Sequence, residues 1–190
     1  MKMKNTIFAL FLMFGMLFAV GSVSAQMMKS DNPMVGGAAM YKNKDIIDNA
    51  VNSKDHTTLV TAVKAAGLVD TLKGKGPFMV FAPTNDAFSM LPAGTVDMLL
   101  MPENKAMLTK VLTYHVVPGN MDAKKIMKAI KKGNGKATFT TVSGNTLTAS
   151  MNGKTVMLMD EKGNMSTVTI ANVKQSNGVI HVVDKVLMPN

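Results

Sequence analysis

The chain predicts an α+β fold, and three features of its sequence predict it. Apolar residues recur at helical spacing through the first half, the period switches to two in the second half, and turn residues cut that second half into short strands. Helices first and an antiparallel meander afterwards give a sheet or β-sandwich core flanked by helices in the N-terminal half.

The elements read in order as follows. Lys2 and Lys4, an apolar run from Ile7 to Val20 and the small residues Val23-Ser-Ala25 make residues 1–25 a secretory signal with cleavage after Ala25. The product is then secreted or periplasmic. The run is shorter than a spanning helix needs, so no stable membrane insertion is expected. Residues 26–40, with Asn32-Pro33 and Gly36-Gly37, read as a flexible lead-in, and 41–190 as one domain. Asp45 to Asn52 is a short helix. Asp55 caps a second helix whose Leu59, Val60, Val63 and Ala66 share a face before Gly67 ends it. Gly74-Lys-Gly-Pro77 is a turn and Phe78 to Ala82 a buried strand. Pro83-Thr84 leads into a helix, with Thr84 as N-cap and Asp86 near its positive end. Pro102 starts a helix carrying Met107, Leu108, Val111 and Leu112 inward. A further helix sets Lys124, Lys125, Lys128, Lys131 and Lys132 against Ile126, Met127, Ala129 and Ile130.

Strands follow at Ala137 to Val142, Leu147 to Met151, Thr155 to Met159, Thr167 to Val173 and Val179 to Leu187. Asn152-Gly153 is a tight-hairpin signal, because both residues tolerate the positive φ such a turn requires.

Composition removes several function classes. There is no cysteine, hence no disulfide, thiol catalysis or thiolate metal site. With the signal removed, 19 lysines face 12 acidic residues, a net charge of +7, and there is no arginine. The missing guanidinium fork and the small number of aromatics (Tyr41, Phe78, Phe81, Phe88, Tyr114 and Phe139) argue against a nucleic-acid partner. About 165 residues suffice to bury roughly 70% of the unfolded surface in one core.

Three ordered marks add a family. Phe78-Met-Val-Phe-Ala-Pro-Thr-Asn-Asp-Ala-Phe88, Tyr114-His115-Val-Val-Pro118 and Asn177-Gly-Val-Ile-His-Val-Val-Asp-Lys-Val-Leu-Met-Pro189 resemble the two signature boxes and the Tyr-His pair of the fasciclin-type domain. The resemblance spans about Met40 to the C-terminus. It implies a wedge-shaped β-sandwich with helices packed on it, a non-catalytic role in cell adhesion or matrix and surface binding, and a single-domain bacterial type of member. Family-motif binding residues would be Tyr114, His115, Thr84, Asn85 and Asp86. Phe81, Pro83, Phe88, His181 and Asp184 are structural members of the same motifs. Some relatives of this kind carry carotenoid-like pigments, so an extracytoplasmic carrier of a small apolar ligand is the alternative.

The residues themselves offer no catalytic set. His56, His115 and His181 are far apart in sequence, Glu103 and Glu161 are the only glutamates, and no P-loop, zinc-helix or dinucleotide fingerprint occurs. No catalytic residue, cofactor or metal is assigned. Tyr114 and His115 should begin a strand and point to opposite faces, one of them packing inward with its polar atom hydrogen-bonded. The lysine helix is a solvated face or, more sharply, a docking face for acidic polysaccharide or anionic lipid. A cell-surface or matrix protein is the other partner considered; the oligomeric state is left open. Of 20 methionines, Met157 and Met159 share a strand face and Met98 and Met101 a helical one. Thioethers bind Cu(I), but flexible core filling is the preferred reading.

Overall fold

A computed structural model describes residues 32–190; the expected signal 1–25 and the start of the lead-in lie outside the described residues. Two short strands, β1 (Met34–Val35) and β2 (Ala38–Ala39), precede the helices α1 (Ile46–Ala50), α2 (Thr57–Ala66) and α3 (Val69–Lys73). Then come β3 (Phe78–Pro83), α4 (Asn85–Ser89), α5 (Thr95–Leu100), α6 (Lys105–Tyr114), β4 (Val116–Pro118) and α7 (Ala123–Lys132). The chain ends in β5 (Lys136–Thr140), β6 (Thr146–Asn152), β7 (Thr155–Met159), β8 (Met165–Gln175) and β9 (Gly178–Val183). The α+β class and the sheet core flanked by helices are as the sequence indicates.

Seven strands form one sheet in the order β4-β3-β9-β8-β7-β6-β5. The Val142 N–H donates to the Val116 carbonyl at 2.7 Å, so the two ends of that order come together and the sheet nearly closes on itself. The expected meander is antiparallel from β5 to β9, but β9 also pairs in parallel with β3, from Phe78 opposite Gly178 to Pro83 opposite Val183. The two signature boxes are therefore neighbouring central strands. A parallel pair is covered on both faces, and all six residues of β9 are buried. Met79, Phe81, Val179 and Val183 face the interior with Leu147, Ala149 and Leu158. Val80, Ala82, Ile180 and Val182 face the helices, against Ile46, Val63 and Leu112. Burying this apolar surface contributes about 25 cal/mol per Å².

Several elements differ from the expectation. Residues 32–40 are not a loose lead-in: Val35 and Met40 are buried and the Lys54 N–H donates to the Gly36 carbonyl, pinning the β1–β2 hairpin to the helices. Asp55 does not cap α2 but lies in a one-turn 3₁₀ helix, Lys54–His56, that precedes it. Met107 points to solvent, half exposed, while Leu108, Val111 and Leu112 are buried as expected. Helices α3 and α5 are too short to carry a full period, and of them only α5 has a sequence sign, the helical spacing of Met98 and Met101. The β6–β7 turn is centred on Gly153-Lys154, because Asn152 still pairs with Thr155; only Gly153 takes a positive φ, of 59°.

Candidate functional site

The turn after β3 is a clasp. Thr84 caps α4 by accepting from the Ala87 N–H at 3.2 Å. Asn85 reaches across to α2: its Oδ1 accepts from Thr58 N–H at 3.0 Å and from Thr57 Oγ1 at 3.2 Å, and its Nδ2 donates to Lys54 O at 2.8 Å. The cap that Asp55 was expected to provide thus comes from a residue about thirty positions away. Asp86 stays exposed, and with Asp55, Thr84 and Asn85 it lines a shallow polar pocket. Pro83 and Phe88 are buried; Phe88 packs with Ala87, Val111 and Val186.

Tyr114 and His115 do not begin a strand. Tyr114 is the last residue of α6 and His115 its C-cap, so their side chains are not constrained to opposite faces, and both are buried. Tyr114 joins the interior core and donates its hydroxyl to Thr146 O at 2.7 Å, with burial pushing its pKa up to about 12. His115 Nε2 accepts from the Leu187 N–H at 3.0 Å, which makes Nδ1 the protonated nitrogen that donates to Val111 O at 2.8 Å. Complete burial lowers its pKa to about 4, so the ring is neutral. The pair ties α6 to β6 on one side and to the C-terminal segment on the other.

The last box is knotted in the same way. His181 Nε2 donates to Met121 O at 3.0 Å, its Nδ1 faces the Asn172 N–H at 3.4 Å, and its ring lies against Phe81, centroids 5.7 Å apart. Burial lowers its pKa too. Asp184 accepts from Thr167 N–H at 2.7 Å and Ser166 Oγ at 3.1 Å, which holds the end of β9 to β8. Asn177, which sequence reasoning passed over, is buried: its Oδ1 accepts from Ile46 N–H at 3.1 Å while its Nδ2 donates to Leu72 O at 2.7 Å and Gly74 O at 2.9 Å. One amide thereby anchors the start of α1 and the end of α3. Its signal was the Asn-Gly pair directly before a mostly apolar strand.

Helix α7 is different in kind. Asp122 caps it, accepting from Lys125 N–H at 2.8 Å, and Ile126 and Ile130 are buried in the interior core. Lys124, Lys125, Lys128, Lys131 and Lys132 are all exposed, with Lys136 following at the start of β5. Among the described residues the side-chain ion pairs are those of Lys73 with Asp45 and Asp48, so none of these six lysines is neutralised.

A third feature is an apolar cavity of about 70 Å³ between α1, α2, α3 and β3. Ile46, Leu59, Val60, Leu72, Phe78 and Val80 are among its walls, with His56 and Ser53 as polar members. Leu59 and Val60, expected to be fully inward, are only half-buried because they border it. Ser53 Oγ lies 2.9 Å from His56 Nδ1, while His56 Nε2 has no partner in hydrogen-bonding geometry, although the Ala82 backbone is close. Burial lowers the pKa of this histidine as well. A hydroxyl beside an imidazole is the arrangement of an activated nucleophile, but here the β1–β2 hairpin closes over it. A Cβ on Gly36 would sit 2.3 Å from Ser53 Oγ, which leaves no room for a substrate carbonyl there.

Comparison with known proteins identifies the family. The fasciclin domain model matches residues 54–189. The chain is 43% identical over 176 residues to the Synechocystis sp. protein sll1483, covering 90% of this chain and 91% of that one. It is 36% identical over 145 residues to the immunogenic protein MPB70 of Mycobacterium bovis, covering 74% of this chain and 66% of that one. A FAS1 domain pair from the insect cell adhesion molecule fasciclin I superposes with a TM-score of 0.68 at 15% identity, a likeness of fold alone, over 76% of this chain and 51% of that one. With its two boxes paired as central strands and its Tyr-His pair closing α6, this chain belongs to the fasciclin domain family.

Proposed function

We propose that the protein is a non-catalytic binding module of the cell exterior or periplasm, which attaches to an acidic polysaccharide through the lysine face of α7. The observation that carries this reading is a row of five exposed, unpaired lysines on a helix whose other side is locked into the core. A helix fixed on the core focuses a field of like charges on polyanions and costs no backbone ordering when they bind. A relative is named for the cell surface, the glycolipoprotein MPB83 of Mycobacterium bovis, and the insect fold neighbour is named a cell adhesion molecule. The non-catalytic part of the reading is supported by the histidines, each buried within the fold with its pKa lowered by that burial. The test is retention of residues 26–190 on an immobilised uronic-acid polysaccharide as salt is raised. Binding should weaken steeply with salt and should fall when Lys128, Lys131 and Lys132 are changed to Gln; salt-independent binding sinks the proposal.

One observation favours a second reading, the carrier. The cavity beneath α1 to α3 is apolar with a single unpaired imidazole nitrogen, as a site for a small apolar molecule would be. Native mass spectrometry on protein from its own host distinguishes the two. An added mass released on denaturation supports the carrier, and a bare chain leaves surface binding.

A further inference from the structure

The outer face of the strands β6 to β8 gathers sulfur. Val156 and Leu158 of β7 point inward, so Met157 and Met159 stand on the opposite face, each part-exposed. Register places Met165 of β8 directly opposite Met159, and Thr167 directly opposite Met157. From the other side, Thr148 and Ser150 of β6 face Met159 and Met157. Directly opposed residues hold their Cβ atoms about 5 Å apart, and residues two apart on one strand about 7 Å. Three unbranched side chains with several free torsions each can bring their sulfurs to one point across such distances. The Thr167 hydroxyl already donates to Met157 Sδ at 3.3 Å, fixing that thioether on the patch.

We propose that Met157, Met159 and Met165 form a binding site for one Cu(I) ion. Three neutral, polarisable thioethers suit a soft monovalent cation. Within β6 to β8 the two cross-strand rows hold only methionine, threonine and serine, and on β5 they continue to Lys136 and Thr138, so they offer no carboxylate to a hard cation. With no cysteine in the chain, thioethers are its only sulfur ligands. The preferred reading of these methionines as core filler holds for Met40 and Met79, which are buried, and fails for this outward trio.

The test is an anaerobic competition of residues 26–190 with a chromophoric Cu(I) chelator, followed by methyl NMR with Ag(I) as a stable surrogate. One equivalent should be withdrawn from the chelator, and the Met157, Met159 and Met165 methyl signals should shift. Met159→Leu with Met165→Leu should weaken binding by at least about tenfold, and adding Met157→Leu should abolish it; leucine is close in volume, so the melting temperature checks the fold. Thr167→Val should cost less, up to about tenfold, by freeing the Met157 sulfur. The proposal is overturned if the chelator keeps all the metal. It is equally overturned if the triple-leucine protein still binds, which would place the ion on exposed methionines such as Met90, Met98, Met101 and Met107.

Discussion

Strands β3 and β9 and the strands β5 to β8 belong to one sheet, yet they are built on different terms. In the first pair nearly every residue is buried, one face by the interior core and the other by helices. The polar side chains beside it, Asn85, His115, Asn177 and His181, are committed to hydrogen bonds inside the fold. In the second group burial alternates along β5, β6 and β7 and along β8 outside its bulged middle, and the outer face and the neighbouring α7 keep polar and sulfur groups turned to solvent. The residues by which the family is recognised hold the fold together. The exposed lysines and part-exposed methionines lie elsewhere, and among the family-motif residues Asp86 stays exposed.

The largest effect that could break this contrast is at Gly178. A Cβ there would meet the Phe78 carbonyl oxygen at 2.1 Å, backbone against backbone in the central parallel pair. Gly178→Ala should cost about 3–5 kcal/mol, read by denaturant unfolding. Gly153, in the β6–β7 turn, has open space around it and only its positive φ to satisfy. Gly153→Ala should cost about 1–2 kcal/mol. Equal losses at the two positions would erase the distinction between the two halves of the sheet.

His115 sharpens it. His115→Ala removes two hydrogen bonds, strands the Leu187 N–H and opens a cavity, for an expected loss of about 2–4 kcal/mol. Unchanged melting with lost surface binding would instead make His115 a contact residue. Its titration gives an independent handle. The folded pKa of about 4 lies below the ordinary 6.5, so the unfolded chain takes up the proton first. This contribution is intact above pH 6.5 and is lost as pH falls towards about 4, up to about 3 kcal/mol. His56 and His181 act in the same direction. The melting temperature should fall across that window, and His115→Ala should shrink the fall. Tyr114→Phe, which loses one bond to Thr146 O, should cost about 1 kcal/mol.

What was legible in the sequence follows the same division. The alternating strands, the Thr84 cap and the amphipathic α7 were readable because each is a local pattern. The parallel pairing of β3 with β9 was not, since two buried, mostly apolar runs about a hundred residues apart carry no register. The long-range bonds of Asn85 and Asn177 were not legible for one reason: a polar residue in a turn looks like a local cap or an exposed contact until its distant partners are known. Tyr114 and His115 were placed at a strand start because the apolar run after them masks a helix end. The cavity and the Met157, Met159 and Met165 cluster are products of tertiary register alone, although Met157 and Met159 could be paired from their spacing.

The smallest expected effect on stability is the most discriminating for function. In α7, Lys124, Lys128 and Lys132 follow one another at four-residue spacing, and such like-charged pairs destabilise a helix by about 0.2–0.5 kcal/mol each. Lys131 and Lys132 recover part of this at the negative helix end, whereas Lys128, mid-helix, recovers nothing. Lys128→Gln should therefore leave stability unchanged or raise it by up to about 0.5 kcal/mol while weakening retention on the polyanion. A change that improves the fold and harms binding identifies a residue kept for its surface role. If Lys128→Gln lowers the melting temperature and leaves retention untouched, the lysine face belongs to the folding half of the comparison, and the polyanion contact is not made there.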